Sequence, residues 1–199
     1  MKRSFLWLGT LALVLAQAAS AIEIAGIHIE DEATIAAQKL VLNGAGIRYR
    51  FGFQIYTCAL YLPQKRSTLK DILALPGPKR VSVTMLREIS NDELGDALMN
   101  GIRKNSTPDD TRGIGLQLVK LGELFSAIPR LKKGDSFTLD FNPEVGTLIS
   151  VNGKPVLDPL PDPAFFAALL RIWLGENAVD SALKPRLLGV PDDPFRSMH

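Results

Sequence analysis

The order of periodic segments in this 199-residue chain predicts an α+β fold. Three observations carry that prediction. Residues 41–62 and 79–87 alternate with the two-residue period of strands, residues 90–128 change to helical spacing, and residues 137–151 return to alternation around a turn. Runs of strands, then helices, then strands again point away from a doubly wound sheet, where the two element types alternate. No internal repeat, low-complexity tract or long linker divides the chain, so residues 22–190 read as one domain. A chain of this length can bury a core of its own.

The N-terminus reads as a targeting segment outside that domain. Lys2 and Arg3 supply a positive start, Phe5 to Ala16 a short apolar run, and Ala19-Ser20-Ala21 a small–x–small cleavage pattern. The apolar run is too short for a membrane span and lacks a stop-transfer cluster, so residues 1–21 are expected to be a secretory signal. No cysteine stands just after the cleavage position, and no membrane anchor is expected after cleavage. The 23 basic residues lose Lys2 and Arg3 with that segment and come to equal the 21 acidic ones. Nucleic acid is therefore not an expected partner, because its footprint needs a clustered basic excess.

Ile22 to Glu30 alternates around Gly26 and predicts a short strand pair or an extended N-terminal segment. Residues 41–62 supply one long strand or two, with Gly52 as a bulge or bend. Its odd positions, from Tyr49 through Phe51 and Phe53 to Tyr61, form an aromatic and aliphatic face. Its even positions begin polar at Arg48 and Arg50 and end apolar at Cys58, Leu60 and Leu62. Such a strand runs from a rim into a core covered on both sides. Ser67 to Leu75 predicts a short helix, ended by Pro76-Gly77-Pro78, and Lys79 to Arg87 a strand.

Ser90 and Glu93 form a capping box that opens a helix with Leu94, Ala97, Leu98, Gly101 and Ile102 on one side. A second helix is predicted from Asp109 to Ile128, with Ile114, Leu118, Leu121 and Phe125 at helical spacing and Pro129 as its stop. Phe137 to Phe141 and Thr147 to Val151 predict a hairpin around residues 142–146, and Asn152-Gly153 is a tight-turn signal. Asp162 to Trp173 and Val179 to Leu188 read as helices separated by Leu174-Gly175. Residues 191–199 read as a polar, proline-bearing tail that frays.

The chain excludes much chemistry. Its only histidines are His28 and His199, which rules out a histidine triad or a multi-histidine metal site. There is no nucleophile elbow, and no metal or cofactor is expected. Gly44-Ala45-Gly46 lacks the third glycine and the following helix of a nucleotide loop, so it reads as a tight turn between strands. Asp140-x-Asn142-x-Glu144 lacks the glycine and distal glutamate of a calcium loop and reads as a hairpin turn. Cys58 is the sole cysteine, expected to be a buried, inert thiol. Phe165, Phe166 and Trp173 read as packing residues.

What remains is the rim. Arg48 and Arg50 would share a face with Gln54 and Tyr56 if the strand is unbroken at Gly52. A guanidinium fork matches a carboxylate, and a phenol adds a directed donor. Two readings stand open: the rim holds the acidic head of an apolar ligand, or both arginines are exposed sheet residues paired with acids such as Glu88 or Asp92.

The segment LNGAGIRYRFGFQIYTCALYLP resembles the glycine-rich turn, arginine and apolar strand of the chalcone isomerase-like family, in its secreted bacterial branch. The resemblance continues in KRVSVTMLREISNDELGDAL, LKKGDSFTLDFNPEVGTLISVNGK and FFAALLRIWLGENAVDSALKPRLLG, across residues 22–190. It implies an open-faced β-sandwich, with a large antiparallel sheet, helices packed on one side and a ligand cleft between them. It also implies the periplasm as the destination after export. Family members either close a chalcone to a flavanone or bind fatty acids through an arginine and a tyrosine. Arg48 matches the family arginine by its place after Gly44-Ala45-Gly46, and Tyr56 falls near the enzyme's strand threonine. The enzyme's tyrosine and asparagine fall near Ile89 and Asp96, where this chain has neither. An aliphatic side chain cannot donate to a substrate carbonyl. The resemblance thus implies non-catalytic binding of a small apolar acid such as a fatty acid, with Arg48 and Tyr56 as ligand contacts. An intramolecular lyase acting on a chalcone-like phenolic enone is the alternative, and a structural role with a filled cleft is the third.

Overall fold

The computed structural model describes residues 21–127 and 130–190. The signal segment up to residue 20, the Ile128-Pro129 stop and the 191–199 tail lie outside the described residues. Ala21 opens strand β1 (Ala21–Ile24), which pairs with β2 (Ile27–Glu30) as the N-terminal alternation predicts.

The spine of the fold is one seven-stranded antiparallel sheet. In chain order its strands are β3 (Glu32–Ile35), β4 (Gln38–Arg50), β5 (Phe53–Leu62), β6 (Lys79–Met85), β9 (Ser136–Asn142), β10 (Gly146–Val151) and β11 (Lys154–Pro155). They lie in that same order across the sheet, so each strand pairs with the next sheet strand in sequence. Helix α1 (Leu69–Ala74) precedes β6, with Thr68 as its N-cap. The short pair β7 (Ile89–Ser90) and β8 (Arg130–Leu131) brackets the helical segment inserted between β6 and β9.

That segment begins as the capping box dictates. Ser90 accepts from the Glu93 N–H and Glu93 accepts from the Ser90 N–H, which satisfies two otherwise orphaned donors at the start of α2 (Asn91–Lys104). The single helix expected over residues 109–128 is broken in two: α3 (Pro108–Gly113) and α4 (Gly115–Ala127) meet at Ile114. Glycines on both sides of Ile114 make continuous helix unfavourable there, and Thr107 with Asp110 forms a further capping box for α3. Helix α5 (Pro163–Leu174) is apolar around most of its surface and sits at the centre of the core, with Phe165, Phe166, Leu169, Ile172 and Trp173 buried. The last helix, α6 (Leu183–Leu187), is shorter than the expected span of Val179 to Leu188.

The larger core joins the helices to one face of the sheet through Cys58, Leu60, Leu62, Val81, Val83, Phe137 and Leu139. A smaller core on the opposite face packs Ala59 and Tyr61 against Ile29, Ile35 and Leu40, with the β1–β2 pair lying over it. Every residue of β5 from Ile55 to Leu62 is buried, as expected of a strand entering a core covered on both sides.

Three readings of the 41–62 stretch need correction. The chain reverses at Phe51 (φ +50°) and Gly52 (φ +80°), and Arg50 pairs with Phe53. Two central residues with positive φ make a tight hairpin turn, not a bulge or bend within one strand. Second, the turn does not lie at Gly44-Ala45-Gly46, which are paired residues inside β4. Those glycines serve close approach: a side chain at Gly44 would run into the backbone carbonyls of Arg186 and Leu187, so α6 can lie directly on the strand. Third, the odd-numbered positions do not form one continuous face: Tyr49, Phe51 and Phe53 are exposed at the hairpin tip, while Tyr61 is buried.

Two register shifts punctuate the β4–β5 ladder. One leaves Asn43 unpaired, and its side chain then donates to the carbonyls of Arg66 and Leu187 and accepts from the Arg66 N–H. The other leaves Ile55 unpaired between the pairs Tyr49–Gln54 and Arg48–Tyr56.

Candidate functional site

Residues Gly44, Gly46 and Arg48 are opposite Leu60, Cys58 and Tyr56, so all six lie on the helix-facing side of the sheet. Helix α6 covers the glycine end of this row. Arg48 lies beyond it, where the covering elements are α2 and β7, and a pocket of about 330 Å³ opens there. Its walls include Arg48, Ile55, Ile89, Ala97 and Phe53, with Arg87 and Phe51 toward the hairpin tip. The pocket thus lies between sheet and helices, lined by aliphatic and aromatic groups with guanidiniums among them.

Arg48 is only 8 % exposed and forms no ion pair among the described residues. Its Nε is buried without a hydrogen-bond partner. This departs from the usual fate of a buried charge, which is paired. The paired-surface reading of the rim finds neither suggested acid on Arg48: Glu88 binds Arg130 at 2.9 Å, and Asp92 forms no ion pair among the described residues. Glu93, the other acid in the wall, is held in the capping box. Arg50 differs: it is exposed, and its guanidinium lies over the Phe51 ring at 5.2 Å.

What holds Arg48 is Tyr56. The Arg48 Cζ lies 5.3 Å from the centroid of the Tyr56 ring, a cation–π contact in a desolvated setting. The Tyr56 hydroxyl in turn accepts from the indole N–H of Trp173 in α5, at 2.9 Å. Burial pushes the Tyr56 hydroxyl above the ordinary phenol range, against the opposing effects of the Arg48 charge and the Trp173 bond. It therefore remains a neutral phenol near neutral pH. Tyr56 itself does not line the pocket; it is 4 % exposed and stands behind Arg48. The expected pair is thus brought together, but only Arg48 meets the cavity directly.

The other expectations find definite places. Ile89 lines the pocket and offers it no donor, while Asp96 is exposed and outside the wall. Cys58 is fully buried, and burial raises its thiol well above the ordinary value, which disfavours the reactive thiolate. Asp140 is held by two hydrogen bonds from Arg80, each 2.6 Å, and the Asn142 side chain accepts from the Glu144 N–H within the turn. Trp173 is buried as its spacing predicts, but the residue pattern gave no sign of its bond to Tyr56.

Comparison with known proteins agrees with this architecture. No curated protein matches the chain in sequence. A solved structure of a fatty-acid binding protein from Arabidopsis thaliana superposes with a TM-score of 0.65 at 12 % identity, covering 85 % of this chain and 96 % of that one. That likeness shows the same fold, the open-faced arrangement of a large antiparallel sheet with helices. A family model described as chalcone isomerase-like matches residues 21–189, nearly the whole of the described structure. The chain belongs to the chalcone isomerase-like family.

Proposed function

We propose that this protein is a non-catalytic binder of a fatty acid or similar small apolar acid, exported to the cell envelope and acting in the periplasm. The observation that carries the reading is Arg48: a buried guanidinium without a carboxylate partner, set in the wall of a pocket shared with Phe51, Phe53, Ile55, Ile89 and Ala97. A ligand carboxylate would supply the charge and the acceptor that the protein leaves out. Tyr56 and, behind it, Trp173 hold the guanidinium in place. The pocket is near the lower end of the roughly 300–1,000 Å³ typical of small-molecule sites, which suits a short acid wholly or a long one in part. The fatty-acid binding relative in fold supports the same choice of ligand class.

Ile89 weighs against catalysis, because this residue of the wall it shares with Arg48 has no hydroxyl with which to polarise a carbonyl. The test is native mass spectrometry and lipid extraction of gently purified protein, followed by titration with dodecanoate. Saturable binding that is lost in Arg48→Ala is expected. Absence of saturable binding, or equal binding by Arg48→Ala, would refute the reading. Turnover of a chalcone above the spontaneous rate, lost in the same variant, would replace it with the lyase.

A further inference from the structure

The tip of the β4–β5 hairpin is costly to the fold in two separate ways. Phe51 occupies the left-handed region at φ +50°, where a bulky aromatic is an outlier and a tight hairpin turn favours asparagine or glycine. It is also 87 % exposed, so its ring returns almost no burial to the folded state. Phe53 across the turn is 63 % exposed, and Tyr49 44 %. Nothing in folding alone accounts for an exposed aromatic in a strained position, and strain of this kind collects at functional segments.

The charges around these rings have a definite sign. The Arg50 guanidinium lies over Phe51 at 5.2 Å and that of Arg87 over Phe53 at 5.5 Å. Neither forms an ion pair among the described residues. The nearby acids are occupied: Glu88 by Arg130, Glu93 by Ser90, and Asp180 by the Tyr49 N–H. The tip therefore presents apolar rings under a cationic cover.

We propose that this hairpin tip docks on an anionic lipid bilayer, with Phe51 and Phe53 entering the interface while Arg50 and Arg87 meet the acidic headgroups. Aromatic rings and snorkelling arginines are suited to that boundary, where one end of a side chain is apolar and the other wet. A protein partner fits less well, since a stable interface buries about 800 Å² on each side and a two-residue turn projects far less. No helix among the described residues is long and apolar enough to cross a membrane, so the contact is peripheral. Phe51 and Phe53 also line the pocket that holds Arg48, so its mouth would open onto the lipid. The docking itself assumes nothing about what fills that pocket.

The test uses the chain from Ile22 onward and co-sedimentation with vesicles of phosphatidylglycerol and phosphatidylcholine. Binding to the anionic vesicles that weakens with salt is expected, and each ring lost should weaken it by about tenfold or more. Phe51→Asn is the informative variant, because asparagine suits the turn and its melting temperature should equal or exceed the parent's. Phe53→Ser removes the second ring. Arg50→Gln with Arg87→Gln should remove the preference for anionic over neutral vesicles. Arg48→Ala, which tests the acid-binding reading, changes a buried residue and leaves the exposed rings and cations of the tip in place, so sedimentation should be retained. The proposal is overturned if the parent chain does not sediment with anionic vesicles or if Phe51→Asn and Phe53→Ser bind as the parent does. A dimer in solution that Phe51→Asn dissolves, with no vesicle binding, would overturn it in favour of self-association.

Discussion

The indole N–H of Trp173 donates to the Tyr56 hydroxyl at 2.9 Å, joining residues 117 positions apart at the back of Arg48. Trp173→Phe keeps a ring in the core but removes the donor, and should destabilise the protein by about 1–3 kcal/mol. Tyr56→Phe should cost a similar amount. The double variant replaces both polar partners and should lose markedly less than the sum of the two. Urea unfolding of the four proteins measures the coupling, and simple additivity would show that this bond contributes nothing. Trp173 is also the only tryptophan from residue 22 onward, so its fluorescence should change on titration with dodecanoate.

Arg48 should set stability against binding. Arg48→Leu removes a buried donor that has no partner, and should raise the stability of the ligand-free protein by about 1 kcal/mol or more. In a domain of this size each kcal/mol moves the melting temperature by about 2–4 °C. The same variant should fail to bind dodecanoate. Thermal melts with and without the acid check both halves: the parent should gain stability from the ligand and Arg48→Leu should not.

The contrast between Arg48 and Tyr56 shows what the sequence revealed and what it hid. Alternation in β5, the capping box at Ser90 and the break after Leu174 were all legible, because each depends on residues close together in the chain. The hairpin at Phe51-Gly52 was not. Aromatics at 49, 51 and 53 continue the two-residue period straight through the turn, where an asparagine would have marked it. Arg48 and Tyr56 do share a face, but for a different reason from an unbroken strand. The two-residue turn reverses the parity of the pairing, and the unpaired Ile55 reverses it again. The glycines at 44 and 46 were misread because their partner, α6, lies some 140 residues on, beyond any local signal.

Alkaline pH should weaken the fold. Burial raises the thiol of Cys58 above its ordinary 9.0 and the hydroxyl of Tyr56 above its ordinary 10.0, and burial pushes Tyr61 up to about 12. Above those ordinary values the unfolded chain releases protons that the folded chain keeps, so fewer protons are bound in the unfolded state and unfolding becomes easier as pH rises. The stabilising contribution is complete below about pH 8 and is lost progressively as pH rises toward about 12 and beyond. Urea midpoints across that range measure the decline. In Cys58→Ala the decline should begin nearer pH 10 than pH 9, and an unchanged onset would remove the thiol from the account.

The two glycines of the hairpin should respond oppositely in scale. In Gly44→Ala the new methyl would meet the Arg186 and Leu187 carbonyls and force α6 off the strand, at a cost of about 2–3 kcal/mol. In Gly52→Ala the space is open and only the left-handed backbone resists, at about 1 kcal/mol. Equal losses in denaturant unfolding would mean that α6 yields more readily than its backbone contact with Gly44 implies.

The unpaired Ile55 has a consequence for descent as well as for geometry. Because it stands outside the β4–β5 ladder, deleting its codon would close that pairing into a regular register with Arg48 still opposite Tyr56, at the loss of the bond its carbonyl accepts from the Leu86 N–H. The anchor would be inherited intact while the pocket lost one aliphatic wall. A single-residue insertion or deletion at this one point of the strand would therefore resize the cavity without shifting Arg48 from its partner.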